Sequence, residues 1–172
     1  REITAYTLYM LFRPLWQRQK NWVVYEKFCK TAQDNSYYFF KYCMEHLPEK
    51  ERRHIYYIMD PREPDYKNVA GYGRQVVPFM SLKHMLLSLS MKICISSDST
   101  SHLYVWRSKP SIVRRAIKQK EELFLQHGVT AMKRVDQLFG KNGSSPMTYF
   151  VTCSRPEHDI VVREFDYEPE NV

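Results

Sequence analysis

The sequence is poor in glycine and carries none of the glycine-rich motifs that mark common nucleotide-binding sites. Five glycines are spread over 172 residues, and neither a GxxxxGK[ST] loop nor a GxGxxG turn is present. The HExxH and GxSxG motifs are missing as well. These absences argue against a P-loop nucleotidase, a dinucleotide-binding oxidoreductase, a zincin and a nucleophile-elbow hydrolase. Nothing in the sequence demands a cofactor or a bound metal, although a role for a divalent cation stays open.

Paired cysteines are also lacking. None of the four cysteines, Cys29, Cys43, Cys94 and Cys153, belongs to a CxxC pair, and each stands among apolar residues. Such spacing does not favour a zinc site or a disulfide framework. The sequence therefore predicts four buried free thiols in a reducing compartment.

Long apolar runs are absent too. No run reaches the roughly 20 residues that a membrane-spanning helix needs, and no signal-peptide pattern is recognisable. The opening segment, residues 3–12, has no charge and is followed by Arg13, Arg18 and Lys20. We expect residues 1–20 to form a helix that either lies at a membrane interface or packs on a part of the protein outside this chain.

Positive charge is abundant but unevenly placed. The formal net charge is +7, and residues 107–120 contain six basic residues and no acidic one. Residues 157–170 are the reverse, with six acidic residues against Arg163. The basic segment suggests an anionic partner such as a nucleotide, a phosphopolymer, an anionic lipid or RNA. The alternative is a solvated face without a ligand.

The pattern of apolar residues predicts strands that alternate with helices. Amphipathic or capped helices are expected over residues 37–47, after Ser81, from about Thr130 and over 157–165, and short β-branched or aromatic runs are expected as strands. The predicted strands are residues 22–25, 55–59, 75–79, 92–95, 123–125 and 149–152. This alternation predicts an α/β fold with a mostly parallel sheet and helices on both faces. Ligands of such sheets bind beyond the carboxyl ends of the strands.

The segment from 124 to 134 is the strongest candidate site. A predicted strand ends in His127-Gly128, and Thr130 then opens a helix with Lys133 and Arg134 in its first turn. An imidazole, free backbone N–H groups and positive charge at one point suit a phosphate ester. Two cations at a helix N-terminus cost about 0.3–1 kcal/mol each, a penalty that a bound phosphate would reverse.

His127 is the candidate general base, since a neutral imidazole with a pKa near 6.5 accepts a hydroxyl proton at physiological pH. Gly128 is expected to allow a close backbone approach or a turn with positive φ. The alternatives are a structural histidine that bonds a carbonyl group, and an ordinary turn glycine.

Polar residues at other strand ends are further candidates. Ser96, Ser97, Asp98 and Asp60 follow predicted strands and are candidates to bind acceptor hydroxyls, with turn or capping chemistry as the alternative. Asp34 and Asn35 are most simply helix-capping residues.

Several of these segments together resemble a known family. The segments are residues 32–35 (AQDN), 56–60 (YYIMD) with 64–65 (PD), 81–84 (SLKH), 95–97 (ISS), and 126–130 (QHGVT) with Lys133-Arg134. In this order and spacing they resemble the CDP-glycerol glycerophosphotransferases, which include the teichoic acid polymerases. The resemblance covers about residues 20–165. In one departure, many relatives have a histidine soon after the Ile-Ser-Ser strand end, where this chain has Asp98, and its nearest histidine is His102. The sequence leaves open whether Asp98 or His102 lines the cleft.

The resemblance implies a GT-B fold of two Rossmann-like halves with the active site between them. It implies transfer of glycerol phosphate from CDP-glycerol to a hydroxyl of a polyol-phosphate polymer or lipid-linked acceptor, with release of CMP. The nucleotide is held mainly by the C-terminal half in this pattern. Residues 21–172 are therefore expected to be the acceptor-side domain, with the donor-binding domain outside this chain. The expected location is the cytoplasmic face of the membrane, bound peripherally to its anionic surface, and no nucleic acid partner is expected.

Two other interpretations remain open. A GT-B glycosyltransferase that uses a nucleotide sugar would have the same fold, and donor chemistry would separate it from a glycerophosphotransferase. A non-catalytic basic module that binds anionic polymer, lipid or RNA would bind weakly, in a salt-sensitive way that does not depend on His127.

Overall fold

The computed structural model describes residues 1–105, 111–128 and 135–172. The strands described form one six-stranded sheet in the order β3-β2-β1-β4-β5-β6, and every pair of neighbours is parallel. The strands are β1 Trp22–Tyr25, β2 Ile55–Met59, β3 Val76–Pro78, β4 Ile93–Ser96, β5 Glu121–Phe124 and β6 Tyr149–Phe150. The predicted α/β fold with a Rossmann-like parallel sheet is confirmed.

Helices cover the sheet. They are α1 Glu2–Leu11, α2 Arg13–Gln19, α3 Asn35–His46, α4 Glu49–Arg52, α5 Tyr66–Val69, α6 Leu82–Ser90, α7 Ile112–Ile117, α8 Asp136–Phe139 and α9 Arg155–Phe165. Short 3₁₀ turns lie at Lys27–Cys29, Ala70–Gln75, Thr100–His102 and Pro169–Asn171. The helices α1, α6 and α7 share a core cluster with one face of the sheet, and α3 packs on the opposite face.

The central strand shows why this sheet forms. In β1, Val23 and Tyr25 point into the cluster with α6 and α7, whereas Val24 points into the cluster with α3. All three side chains are fully buried, as expected for a parallel strand that is covered on both faces. On α3, Phe40 and Met44 recur four residues apart and pack in the cluster that contains Val24. The apolar side of α3, which follows the helical period, thus packs on the side of β1 that alternate residues form.

The structure differs from the sequence-based prediction mainly at element ends and in one helix. The basic stretch before β5 contains α7, which was not predicted. Its start is capped by Ser111, whose Oγ accepts a hydrogen bond from the Arg114 N–H, and Val113 and Ile117 form its buried side. The last helix begins at Arg155 because Ser154 caps it. The first part of the helix predicted from about Thr130 lies outside the described residues, and its last part coincides with α8 Asp136–Phe139.

Residues 1–20 form two helices rather than one, and they meet at Phe12. Ala5 of α1 is fully buried in the same cluster as Met85 and Leu89 of α6. The first helix therefore shares the core of the sheet domain. In the part of the chain that the structure describes, no helix is long and apolar enough to cross a bilayer.

The prediction of four buried thiols is right for three cysteines. Cys29, Cys43 and Cys94 are buried and free, but Cys153 is exposed. Cys153 lies in the loop between β6 and α9, where its Sγ is 3.2 Å from Oε2 of Glu157. A loop position after a short edge strand leaves this side chain uncovered, which the local sequence did not reveal.

The carboxylate of Glu26 organises the loop between β1 and α3. Glu26 follows β1 directly, is 1% exposed, and accepts hydrogen bonds from three backbone N–H groups. The donors are Gln33 (3.1 Å), Asp34 (2.9 Å) and Tyr37 (2.9 Å). A negative group at this position also interacts favourably with the dipole of α3.

Replacing Glu26 by alanine should lower the free energy of unfolding by about 3 kcal/mol, because three backbone N–H groups lose a buried charged acceptor. Urea denaturation monitored by circular dichroism measures this change. The matched control is Glu51→Ala, at an exposed site on α4, which should stay within about 0.5 kcal/mol of the wild type. Equal effects of the two substitutions would show that Glu26 does not hold this loop.

Candidate active site

The candidate site lies where the strand order of the sheet reverses. Because β2 and β4 pair with opposite sides of β1, the strand order reverses between β1 and β4. Ligands of open α/β sheets bind at this switch point. The chain places Glu26 after β1, Asp98 after β4 and His127 after β5 at this edge. The predicted position of His127 at the carboxyl edge of the sheet therefore agrees with the structure.

His127 lies between two carboxylates. Its Nδ1 forms a hydrogen bond with Oδ2 of Asp34, at the start of α3, and its Nε2 lies 3.5 Å from Oδ1 of Asp98. The His127 side chain is about half exposed, whereas the Asp98 side chain is 12% exposed. One imidazole thus connects the loops that follow β1, β4 and β5, and its outer face stays open to a ligand.

The structure shows which of Asp98 and His102 contacts His127. Asp98 is the residue that contacts His127, and Nδ1 of His102 lies 3.2 Å from Oδ1 of the same Asp98 carboxylate. The His102 ring packs on Phe28, with ring centroids 4.0 Å apart. Asp98 therefore occupies the position next to His127, and His102 supports it from behind.

A strained turn aims His127 at these carboxylates. Gln126 has a φ of 58°, in the left-handed region that costs a non-glycine residue about 1 kcal/mol or more. Two side-chain amides hold it there. Nδ2 of Asn35 donates to the carbonyl groups of Leu125 (3.2 Å) and Gln126 (2.8 Å), and Nε2 of Gln126 donates to the Val151 carbonyl (2.5 Å). The start of α3 and the end of β6 together fix the conformation of the residue before His127.

Ser96 and Ser97 hold the turn that presents Asp98. Oγ of Ser96 accepts a hydrogen bond from the Asp98 N–H at 2.9 Å, and Oγ of Ser97 lies 3.1 Å from Oγ of Ser36. The Ser97 N–H also donates to the Ser36 hydroxyl, at 2.8 Å. Both Ser96 and Ser97 are fully buried. In this structure they position Asp98, and direct contact of either hydroxyl with an acceptor stays a prediction.

The structure does not join Asp60 to this cluster. Asp60 follows β2, and its carboxylate accepts hydrogen bonds from Nε (3.0 Å) and Nη2 (2.7 Å) of Arg62 in the same turn. The hydrogen bonds with Arg62 lower the pKa of Asp60, although its partial burial opposes them. In this structure the Asp60 carboxylate stabilises its own turn, which was the alternative interpretation of this residue. A substrate-binding role for Asp60 stays a prediction.

Gly128 does not have the positive φ that sequence reasoning offered as one possibility. The left-handed residue of this loop is Gln126 instead. Within the described part of the chain, a Cβ at Gly128 would meet no atom within 4 Å. Gly128 lines a cavity of about 330 Å³ beside Leu125 and Val151, so a close approach to a ligand stays a prediction. Thr130, Lys133 and Arg134 lie outside the described residues.

The two carboxylates change the acidity of the imidazole. The hydrogen bond with Asp98 raises the pKa of His127 to about 9. Partial burial opposes this effect, and the hydrogen bond with Asp34 adds to it. Burial alone would raise the pKa of Asp98, but the imidazoles of His102 and His127 hold it well below its ordinary value. His127 is therefore an imidazolium at neutral pH in this structure. The expectation of an ordinary pKa near 6.5 is wrong for this environment.

Asp34 is the site residue that sequence reasoning missed. It was predicted to cap α3, and its Oδ1 does accept a hydrogen bond from the Asn35 N–H at 2.7 Å. Its other oxygen, Oδ2, contacts His127, which is 93 residues away in the sequence. One feature of the sequence could have indicated this role for Asp34. The residue lies in the loop after the predicted strand 22–25, which is β1, at the switch point of the sheet.

In its neutral form, His127 can deprotonate a hydroxyl. Asp34 fixes one ring nitrogen, and the other lies 3.5 Å from Oδ1 of Asp98, an arrangement that resembles a carboxylate-oriented histidine base. Among residues 1–105, 111–128 and 135–172, no group of three His, Cys, Asp or Glu side chains is placed to hold a metal ion.

A comparison with known proteins supports the family resemblance. The chain is 28% identical over 165 residues to the Minor teichoic acid biosynthesis protein GgaB of Bacillus subtilis (strain 168). The match covers 92% of this chain and 17% of that protein, so the chain spans a small part of its relative's length. No family model matches the chain, and no solved structure matches it significantly. The similarity agrees with the resemblance to the teichoic acid enzymes that the sequence blocks indicated.

Replacing Asp98 by asparagine should lower the pKa of His127 from about 9 toward its ordinary value of 6.5, because the first partner of the imidazolium loses its charge. Titration of the His127 Cε1 proton by NMR measures the shift. The matched control is Asp159→Asn, at an exposed site on α9, which should leave the titration of His127 unchanged.

The same pair links pH to stability. Since the pKa of folded His127 lies above that of the unfolded chain, its stabilisation is complete below about pH 6.5 and is lost as the pH rises through about 9. Asp98→Asn should thus destabilise the protein more at pH 6 than at pH 10. A His127 that titrates near 6.5 in the wild type would contradict the geometry described here.

Proposed function

We propose that this chain is the acceptor-side half of a transferase of teichoic acid biosynthesis. The transferase moves glycerol phosphate from CDP-glycerol to a hydroxyl of a polyol-phosphate polymer or lipid-linked acceptor and releases CMP. The observation that carries the proposal is the placement of His127 between Asp34 and Asp98 at the switch point of the sheet. The similarity to GgaB supports the teichoic acid part of the proposal.

In the proposed reaction, His127 acts on the acceptor. The reactive form is neutral His127, in which Nδ1 keeps its proton toward Asp34 and Nε2 takes the proton from the acceptor hydroxyl. The hydroxyl oxygen forms a bond to the β-phosphorus of the donor while the bond from that phosphorus to the CMP oxygen breaks. CMP leaves with the electron pair of that bond, and His127 is left as an imidazolium between two carboxylates. Their charges stabilise this product of the proton transfer.

Asp98 also offers a contact for the acceptor. Its Oδ2 is buried and has no hydrogen-bond partner among the described residues. A buried oxygen without a partner costs about 1–3 kcal/mol, and a bound hydroxyl group would satisfy it. We therefore assign Asp98 two functions, which are to raise the basicity of His127 and to orient the attacking hydroxyl.

The loop after β1 supports placing the donor nucleotide elsewhere. In dinucleotide-binding folds, a glycine-rich turn at this position brings phosphate to the helix N-terminus. Here the Glu26 carboxylate lies at the N-terminus of α3 and accepts hydrogen bonds from the N–H groups of Gln33 in the preceding loop, Asp34 at the N-cap and Tyr37 in the first turn. A phosphate at the same place would meet a fixed negative charge. This agrees with an acceptor-side domain whose donor is bound mainly by another half of the enzyme. Thr130, Lys133 and Arg134 remain the proposed phosphate contacts of this half.

His127→Ala in the full-length protein should lower acceptor-dependent CMP release from CDP-glycerol by about a hundredfold or more, the usual cost of losing a general base. The assay uses a glycerol-phosphate-primed acceptor, and the circular dichroism of each variant checks its folding. The matched control is His46→Ala, at the exposed far end of α3, which should keep the wild-type rate.

Other results would lead to other functions. Wild-type protein that releases no CMP but turns over a nucleotide sugar would be a glycosyltransferase with the same acceptor site. Wild-type protein that is inactive with both donors, yet binds anionic polymer regardless of His127→Ala, would be a binding module. A full rate in His127→Ala would make His127 a structural residue.

We also propose that α1 and α2 bind the cytoplasmic face of the membrane peripherally. Ile3, Leu11 and Leu15 are 75%, 69% and 58% exposed, although they are large apolar side chains. The segment that carries them also carries Arg13 and Arg18. Apolar side chains beside cations suit the interface of an anionic bilayer.

The double substitution Leu11→Ser and Leu15→Ser should weaken binding to phosphatidylglycerol vesicles by about tenfold or more, because each leucine loses apolar surface that the bilayer would bury. Vesicle co-sedimentation measures the change, with phosphatidylcholine vesicles as the uncharged comparison. Tyr38→Ser, at an equally exposed position on α3, is the matched control. Equal binding by the double variant and the wild type would exclude this surface as the membrane contact.

A further inference from the structure

A second polar cavity lies on the α7 side of β5, apart from the His127 site. Its volume is about 470 Å³. Its walls come from α7 and the turn after it, from β5, from the 3₁₀ turn Thr100–His102, and from the segment 144–148 that leads into β6. The proposed transfer reaction uses none of the residues that line it.

Glu122 is a buried carboxyl group in the wall of this cavity. It is 5% exposed, and its Oε1 has no hydrogen-bond partner in the described part of the chain. Burial raises the pKa of Glu122 to about 8. Hydrogen bonds with the Thr100 backbone and the Tyr25 side chain act in the opposite direction and only partly offset the effect of burial. Glu122 is therefore mainly protonated at neutral pH. It can both donate a hydrogen bond to a ligand and accept one from it.

The same cavity carries a strong excess of positive charge. Arg114, Lys118 and Lys120 line it, and Glu122 is the one acidic residue among its described lining residues. Lys118 is exposed and Lys120 is half-buried. Burial lowers the pKa of Lys120. The nearby Cys94 raises this pKa, and the nearby Arg13 lowers it further. Bringing an anion between these cations would relieve their mutual repulsion.

Hydroxyl groups complete the lining. Oγ1 of Thr148 accepts a hydrogen bond from the Glu122 N–H at 3.0 Å, so its own proton is available to a ligand. The described lining residues include no aromatic side chain on which a nucleotide base could stack. Cations on one wall and neutral hydrogen-bonding groups on another therefore favour a small ligand that combines phosphate with hydroxyl groups.

We propose that this cavity binds a phosphorylated polyol, with the phosphate at Lys118 and Lys120 and the hydroxyl groups at Glu122 and Thr148. The inference stands on the lining of the cavity and does not depend on the proposed transfer reaction. It is a binding site without an assigned chemical step, so it holds or fails independently of His127.

Isothermal titration calorimetry with three probes tests the proposal, namely glycerol 3-phosphate, inorganic phosphate and glycerol. Glycerol 3-phosphate should bind about tenfold more tightly than phosphate, because it adds hydrogen bonds to a buried group, and glycerol alone should show no measurable binding. The double substitution Lys118→Ala and Lys120→Ala should weaken glycerol 3-phosphate binding by about tenfold or more.

Two substitutions at Glu122 test the hydroxyl contact. Glu122→Gln keeps a neutral hydrogen-bonding group and should retain the preference for glycerol 3-phosphate. Glu122→Leu removes that group, and the affinities for glycerol 3-phosphate and phosphate should become equal within about threefold. Since the lysine pair lies nearer the surface, its variant tests the phosphate contact even if Glu122→Leu does not fold.

Matched controls separate this cavity from the rest of the surface. The double substitution Lys50→Ala and Lys67→Ala removes the same charge at exposed sites and should leave binding unchanged. Binding that survives loss of Lys118 and Lys120, or a preference that survives Glu122→Leu, would each overturn the proposal.

Discussion

Three backbone N–H groups before and within the first turn of α3 depend on one carboxylate, that of Glu26. Because Glu26 follows the central strand β1 and binds the backbone on both sides of the α3 N-terminus, it fixes Asp34 and Asn35. Asp34 then reaches the imidazole of His127, and Asn35 reaches the carbonyl groups before it. The geometry of the candidate site therefore follows from a buried structural contact that itself meets no substrate.

The second constraint is electrostatic. An imidazole between two carboxylates keeps its proton more tightly. The imidazoles of His102 and His127 in turn hold the pKa of Asp98 below its ordinary value, so Asp98 remains ionised. Such a histidine is a stronger base in its neutral form, but it is neutral in a smaller fraction of molecules at pH 7. Glu26 already neutralises the N-terminus of α3, which agrees with the proposal that a donor nucleotide is bound elsewhere. These two features together support the proposed acceptor-side role.

Much of the fold could be predicted from the sequence, because runs such as residues 22–25 and 55–59 are apolar, β-branched or aromatic and alternate with helical periods. The helix α7 was missed because its apolar residues, Val113 and Ile117, stand among cations. His127 could be predicted from its place after a strand. Its contact with Asp34 could not, since it spans 93 residues and depends on the strand order. The raised pKa of His127 follows mainly from its contact with Asp98, with a smaller contribution from Asp34, and was equally out of reach.

The most direct test of the account is the pH dependence of kcat/KM for the acceptor in the full-length protein. If neutral His127 is the base and Asp98 raises its pKa, the rate constant should rise with pH to a plateau with an apparent pKa near 9. In Asp98→Asn the same rise should move to lower pH. A rise centred near 6.5 in both proteins would contradict the account, because His127 would then act without the two carboxylates that the structure places around it.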